Sequence, residues 1–146
     1  MYANPIYVFR LEDKELYHTC RQEIPFYAIC LVANDTPDSG ATMRFVHPQA
    51  DRSAPPLPGT LQGFSCLFNA ACLSEKMQNI LRALPMFRKS GSPVYLLNPV
   101  QVDRFRRLFE QMLEEVNNNY AFKYELLGNY LAEMLHQVLK LQPCRA

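Results

Sequence analysis

Between Pro99 and Leu141 the apolar residues recur at heptad spacing on both sides of a run of three asparagines. No other stretch limits the fold as strongly. Val102, Phe105, Phe109, Met112 and Val116 are separated by 3, 4, 3 and 4 positions, the spacing of a seam between packed helices. Tyr120, Tyr124, Leu127, Leu131, Met134, Val138 and Leu141 repeat it with gaps of 4, 3, 4, 3, 4 and 3. Asn117–Asn119 lie between the two runs, and Asn tolerates turn and left-handed geometry, so the spacing predicts two helices joined by a short turn over residues 98–141.

The start of the first helix is written locally. Asn98 is placed to cap it, Pro99 takes the first helical position, and Gln101 can reach back to the cap. Its polar face carries Arg104, Arg106, Arg107, Glu110, Gln111, Glu114 and Glu115. Asp103–Arg107 and Arg106–Glu110 are opposite charges at i,i+4 spacing, each contributing about 0.2–0.5 kcal/mol. Arginines alternating with glutamates read as a solvated face rather than a phosphate contact. On the second helix Phe122, Leu126, Tyr130, Leu135 and Leu139 form an additional apolar stripe beside the seam. So much apolar surface implies a second layer of packing, against either the rest of the chain or a second copy of it.

The residues before Pro99 follow a different period. Eleven prolines, most of them between Pro37 and Pro99, favour strands and turns there. Ile6–Phe9 and Glu15–Thr19 read as short strands, and Phe26–Ala33 as a strand buried on both faces. Thr42–Pro48 reads as a strand ended by its proline. Asn34–Gly40 and Gln49–Gly59 read as loops. In Thr60–Phe68, Phe64, Cys66 and Phe68 share one face, and Gly63 suggests a bulge or a close backbone approach. A short helix over residues 73–84 has Ser74 as its N-cap and Pro85 as its stop. The extended piece that follows ends at Leu97. The chain is thus expected to be a single α+β domain of 146 residues, β-rich over residues 1–70.

Charge and cysteine usage exclude several classes. A net charge of +1 gives no general attraction to nucleic acid or an acidic membrane. No apolar run approaches the roughly 20 residues of a membrane span, and no signal peptide pattern opens the chain. Cys20, Cys30, Cys66, Cys72 and Cys144 match no zinc spacing, which points to reduced thiols and a cytoplasmic protein. There is no His-x-His pair with an acidic ligand, no glycine-rich phosphate loop and no nucleophile elbow. No metal site, no catalytic set and no cofactor are therefore expected. Cys66 and His47 read as a buried thiol and a separate histidine rather than a reactive pair. The residues suited to a small-molecule pocket on the strands are Tyr27 and Phe64 as walls, Arg44 as an anion anchor, and His47.

The order of these features, "RFVHP", "GFSCLF", a short helix, "LPMFRKSGSPVYLLNPVQ" and "FRRLFEQMLEEV" with its partner helix, resembles the N-terminal sensor and dimerisation domain of AraC-type bacterial transcriptional regulators. The resemblance runs from about Phe26 to Leu141. It implies a small cupin-like β-barrel, shortened at Asn34–Met43, followed by an antiparallel two-helix hairpin. It also implies a small-molecule effector in the barrel and a homodimer formed through the hairpin. DNA would be reached only through a C-terminal helix-turn-helix domain beyond this chain. The pairing residues it points to are Phe105, Phe109, Met112, Leu127, Leu131, Met134 and Val138, some of them shared with intramolecular core. The alternative from a different class is a stand-alone cupin-like binding protein or isomerase.

Overall fold

The structure, a computed structural model, describes residues 6–12, 27–33, 41–47, 62–84 and 94–141. The strand expected at Glu15–Thr19, the loops at Asn34–Gly40 and Gln49–Gly59, the stop at Pro85, and Cys20 and Cys144 lie outside the described residues. The fold is α+β. Strands β1 (Ile6–Arg10), β2 (Tyr27–Ala33), β3 (Ala41–Val46), β4 (Gly63–Phe68) and β5 (Val94–Leu97) form one antiparallel sheet in the order β1-β4-β2-β3-β5. Three helices accompany it: α1 (Glu75–Ala83), α2 (Pro99–Val116) and α3 (Lys123–Leu139). A 3-10 turn, Ala70–Cys72, leads into α1. Among the described residues no helix is long and apolar enough to cross a membrane.

Local signals place the helix ends. The Ser74 hydroxyl accepts from the Met77 amide to start α1. At α2 the capping box is complete: Asn98 Oδ1 accepts from the Gln101 amide at 2.8 Å, and Gln101 Oε1 accepts from the Asn98 amide at 2.9 Å. Such caps contribute about 1 kcal/mol each. Between α2 and α3 the Asn118 side chain accepts from the Tyr120 amide. The Lys123 ammonium donates to the carbonyls of Val116 and Asn118, both at 3.2 Å, closing the end of α2 with a cation where the helix dipole is negative. Gln137 near the end of α3 accepts from Arg104 near the start of α2, so the two helices run back along each other.

The sheet has two unlike faces. Ile6, Val8, Ile29, Leu31, Met43, Phe45, Cys66 and Phe68 point to one face and join the apolar stripes of all three helices in the main core. α2 packs on β1, β4 and β5, and α3 packs on α2 and β1. The opposite face holds a smaller buried set, Phe9, Leu11, Ala28, Cys30, Val32 and Leu67. β2, central in the sheet, is buried on both faces, as its unbroken apolar run predicts. Gly63 begins β4 at φ +144°, where a Cβ would run into the Leu31 carbonyl.

This arrangement places the seam inside a single chain. Phe105, Phe109, Met112, Leu127, Leu131, Met134 and Val138 are all at most 1% exposed within a single chain. A side chain sealed by its own sheet and its neighbouring helix has no surface left to offer a second copy. The heptad spacing was a sound sign of an apolar stripe, but the stripe faces inward. Glu115, expected on the solvated face, is also buried, at 9% exposure. The expected ion pairs do form: Arg107–Asp103 at 3.1 Å and Arg106–Glu110 at 4.0 Å, with Arg106–Asp103 at 2.6 Å in addition.

Candidate functional site

The four residues expected to line one pocket separate into three places. Tyr27 opens β2 on the helix-covered face, where its ring stacks on Phe68 with centroids 5.5 Å apart, and His47 meets it edge-on at 5.4 Å. Phe64 shares that face but sits at the other end of β4, about 13 Å from Phe68 along a strand. There it stacks on Phe109 of α2 at 5.4 Å, under the guanidinium of Arg10. Arg44 occupies the opposite face, paired across β2–β3 with Cys30. No single cavity is lined by all four, because a pleated sheet sends alternate side chains to opposite sides. Arg44 and His47 are three positions apart, so a regular strand already parts them.

Arg44 nonetheless stands out. The registers place Phe9, Ser65, Cys30, Arg44 and Val94 in one row across the five strands. Within it Ser65 is fully buried and its hydroxyl shares a hydrogen bond of 3.3 Å with the Cys30 thiol. Burial pushes the Cys30 thiol up from its ordinary range, against the opposing pull of the Ser65 hydrogen bond and the Arg44 charge, so it stays protonated at neutral pH. Arg44 is half-buried, and its Nε is sealed from solvent with no hydrogen-bond partner. None of the five strands carries an aspartate or glutamate. On the edge-strand side of Arg44, Val94 and Leu96 are exposed on the same face. Sequence reading found Arg44 but not its row-mates Cys30 and Ser65, because only the strand register brings residues 30, 44 and 65 together.

The remaining reactive groups are muted. Cys66 lies wholly buried in the main core, and burial drives its thiol well above the ordinary value. Cys72, in the 3-10 turn, donates to the Asn69 carbonyl at 2.9 Å, and burial pushes its thiol up to about 11. Among the described residues no three His, Cys, Asp or Glu side chains come together.

A second feature is apolar surface on the helix pair. With the seam turned inward, Tyr120, Phe122, Tyr124 and Leu139 are left exposed, Phe122 at 58%. The Tyr120 and Phe122 rings meet edge-on at 5.8 Å, and the Lys123 ammonium lies over the Tyr124 ring at 5.4 Å. These aromatics cluster where α2 turns into α3, and Leu139 marks the far end of α3. No family model and no curated protein sequence matches this chain.

Proposed function

We propose that this chain is the effector-sensing and dimerising domain of an AraC-type transcriptional regulator. In this reading the sheet belongs to a small cupin-like barrel, α2 and α3 are the antiparallel hairpin that pairs two chains, and DNA is held by a helix-turn-helix domain beyond this chain. The observation that carries the pairing is the set of exposed apolar side chains on the hairpin, Tyr120, Phe122, Tyr124 and Leu139. Exposed aromatics grouped in this way are the raw material of an interface core. Two hairpins laid antiparallel bring the aromatic turn of each toward the Leu139 end of the other, and a two-fold axis makes both contacts alike. Dimerisation serves the function because two DNA-binding units must be held at a fixed spacing to meet two half-sites.

The test is a charge on the exposed patch. Phe122→Asp leaves the core untouched and is expected to halve the mass measured by light scattering. An unchanged mass for this variant, or a wild-type chain that is monomeric throughout the micromolar range, overturns the pairing. Leu131→Asp is not a usable probe, since it places a charge where the side chain is fully buried and unfolds the domain.

A further inference from the structure

We propose that the outward face of α3 is a self-recognition stripe, on which two copies of this chain pair antiparallel in one register and join Glu125 of each to His136 of the other. This names the surface for the pairing in the regulator reading and rests on that reading. Phe122, Glu125, Asn129, Ala132, His136 and Leu139 follow one another at gaps of 3, 4, 3, 4 and 3, so they run in a single line along the helix. The line lies opposite the buried side of α3, formed by Leu127, Leu131, Met134, Leu135 and Val138. All of its members are exposed except Ala132, which is half-buried. Its polar members are also uncommitted: among the described residues the side chains of Glu125, Asn129 and His136 make no hydrogen bond or ion pair. α2 differs, since its charges are already tied to one another at Arg106–Asp103, Arg107–Asp103 and Arg106–Glu110.

The order of residues along the line fits its own reverse. A two-fold axis midway between Asn129 and Ala132 sets Phe122 against Leu139, Glu125 against His136 and Asn129 against Ala132, and each pair occurs twice. Apolar side chains then meet at both ends, and short side chains at the centre let the helices approach. Every carboxylate faces an imidazole, which offers an N–H donor in either protonation state. A parallel pair would stack Glu125 on Glu125 and His136 on His136, placing like groups together. Sliding the antiparallel pair by one heptad leaves either His136 and Leu139 or Phe122 and Glu125 of each copy without a counterpart. The occupant that matches this line is therefore the same line on a second copy.

The experiment exchanges the two residues across the contact. Glu125→His alone sets two imidazoles together, His136→Glu alone sets two carboxylates together, and the double variant restores the pair in reverse. The dimer Kd of each is measured on the whole chain by sedimentation equilibrium at neutral pH. Each single variant is expected to weaken pairing by about tenfold, and the double variant to pair within about threefold of wild type. Glu125 and His136 are exposed, so neither substitution disturbs the core. An acid in the first turn of α3 and a base in the last also suit the helix dipole. That contribution adds between the two substitutions, whereas a contact across copies does not. Single variants that pair as tightly as wild type, or a double variant weakened by the product of the two single effects, overturn the register. A wild-type dimer that Phe122→Asp breaks, with additive effects in the exchange, sinks this proposal alone. A wild-type chain that stays monomeric sinks the pairing with it.

Discussion

The ring of Phe64 lies flat against the ring of Phe109, with centroids 5.4 Å apart and planes 13° from parallel. The first residue had been expected to line a ligand pocket and the second to pair two chains. They serve instead as partners that fasten α2 to β4. Phe109 is fully buried and Phe64 nearly so, and truncating a buried Phe costs about 3–5 kcal/mol. Phe109→Ala should therefore remove much of the stability of a domain of this size. Urea titrations of Phe64→Ala, Phe109→Ala and the double variant should give a coupling of about 0.5–1.5 kcal/mol. Strict additivity would mean that the stacking contributes nothing beyond burial.

Gly63 is the position least open to substitution. Its φ of +144° is one that L side chains rarely adopt, and a Cβ there would lie 1.9 Å from the Leu31 carbonyl oxygen. Residues just past the end of β1 hold the site: Leu11 donates to the Gly63 carbonyl at 2.9 Å, and the Gly63 amide donates to Glu12 at 2.8 Å. Gly63→Ala must shift β2 or β4, and should cost more than the roughly 1–3 kcal/mol of backbone strain alone. A denaturation midpoint equal to wild type would show that the strand start relaxes freely.

What was legible in the sequence follows the range of the forces involved. The capping box of Asn98 and Gln101, the Ser74 cap and the close approach at Gly63 depend on contacts within a few residues or on a single backbone angle, and all appear as read. The apolar period of α2 and α3 was equally plain. Periodicity tells which side of a helix is apolar, however, and says nothing of what covers it. That depends on contacts such as Phe64 with Phe109, which are distant in sequence. The row Ser65–Cys30–Arg44 was hidden for the same reason, since register is a tertiary fact. The separation of Arg44 from His47 was available from strand alternation alone.

Glu115 offers a stabilising substitution. One carboxylate oxygen accepts from the Asn118 amide at 2.9 Å, while the other is buried without a partner. A carboxylate with one oxygen sealed from water and unpartnered is a net cost. An apolar residue of similar size removes that cost and the unmatched acceptor together. Glu115→Met keeps the helix propensity of the site and should raise stability by about 1 kcal/mol, read as a higher urea midpoint at unchanged slope. A lower midpoint would mean that the Asn118 bond outweighs the buried charge.

Cys72 sets a limit on stability in alkali. Burial holds its thiol at about 11, above the ordinary value of 9.0, so between these values the folded chain keeps a proton that the unfolded chain has released. Stability is then fully present below about pH 9 and falls as the pH rises toward 11. Burial raises the Cys30 and Cys66 thiols as well, and these steepen the fall in the same direction. Cys72→Ser keeps a donor for the Asn69 carbonyl and removes one titrating group. The drop in urea midpoint between pH 8 and pH 10.5 should therefore be smaller in this variant than in the wild-type chain. An equal drop in both would place the alkaline sensitivity in other groups.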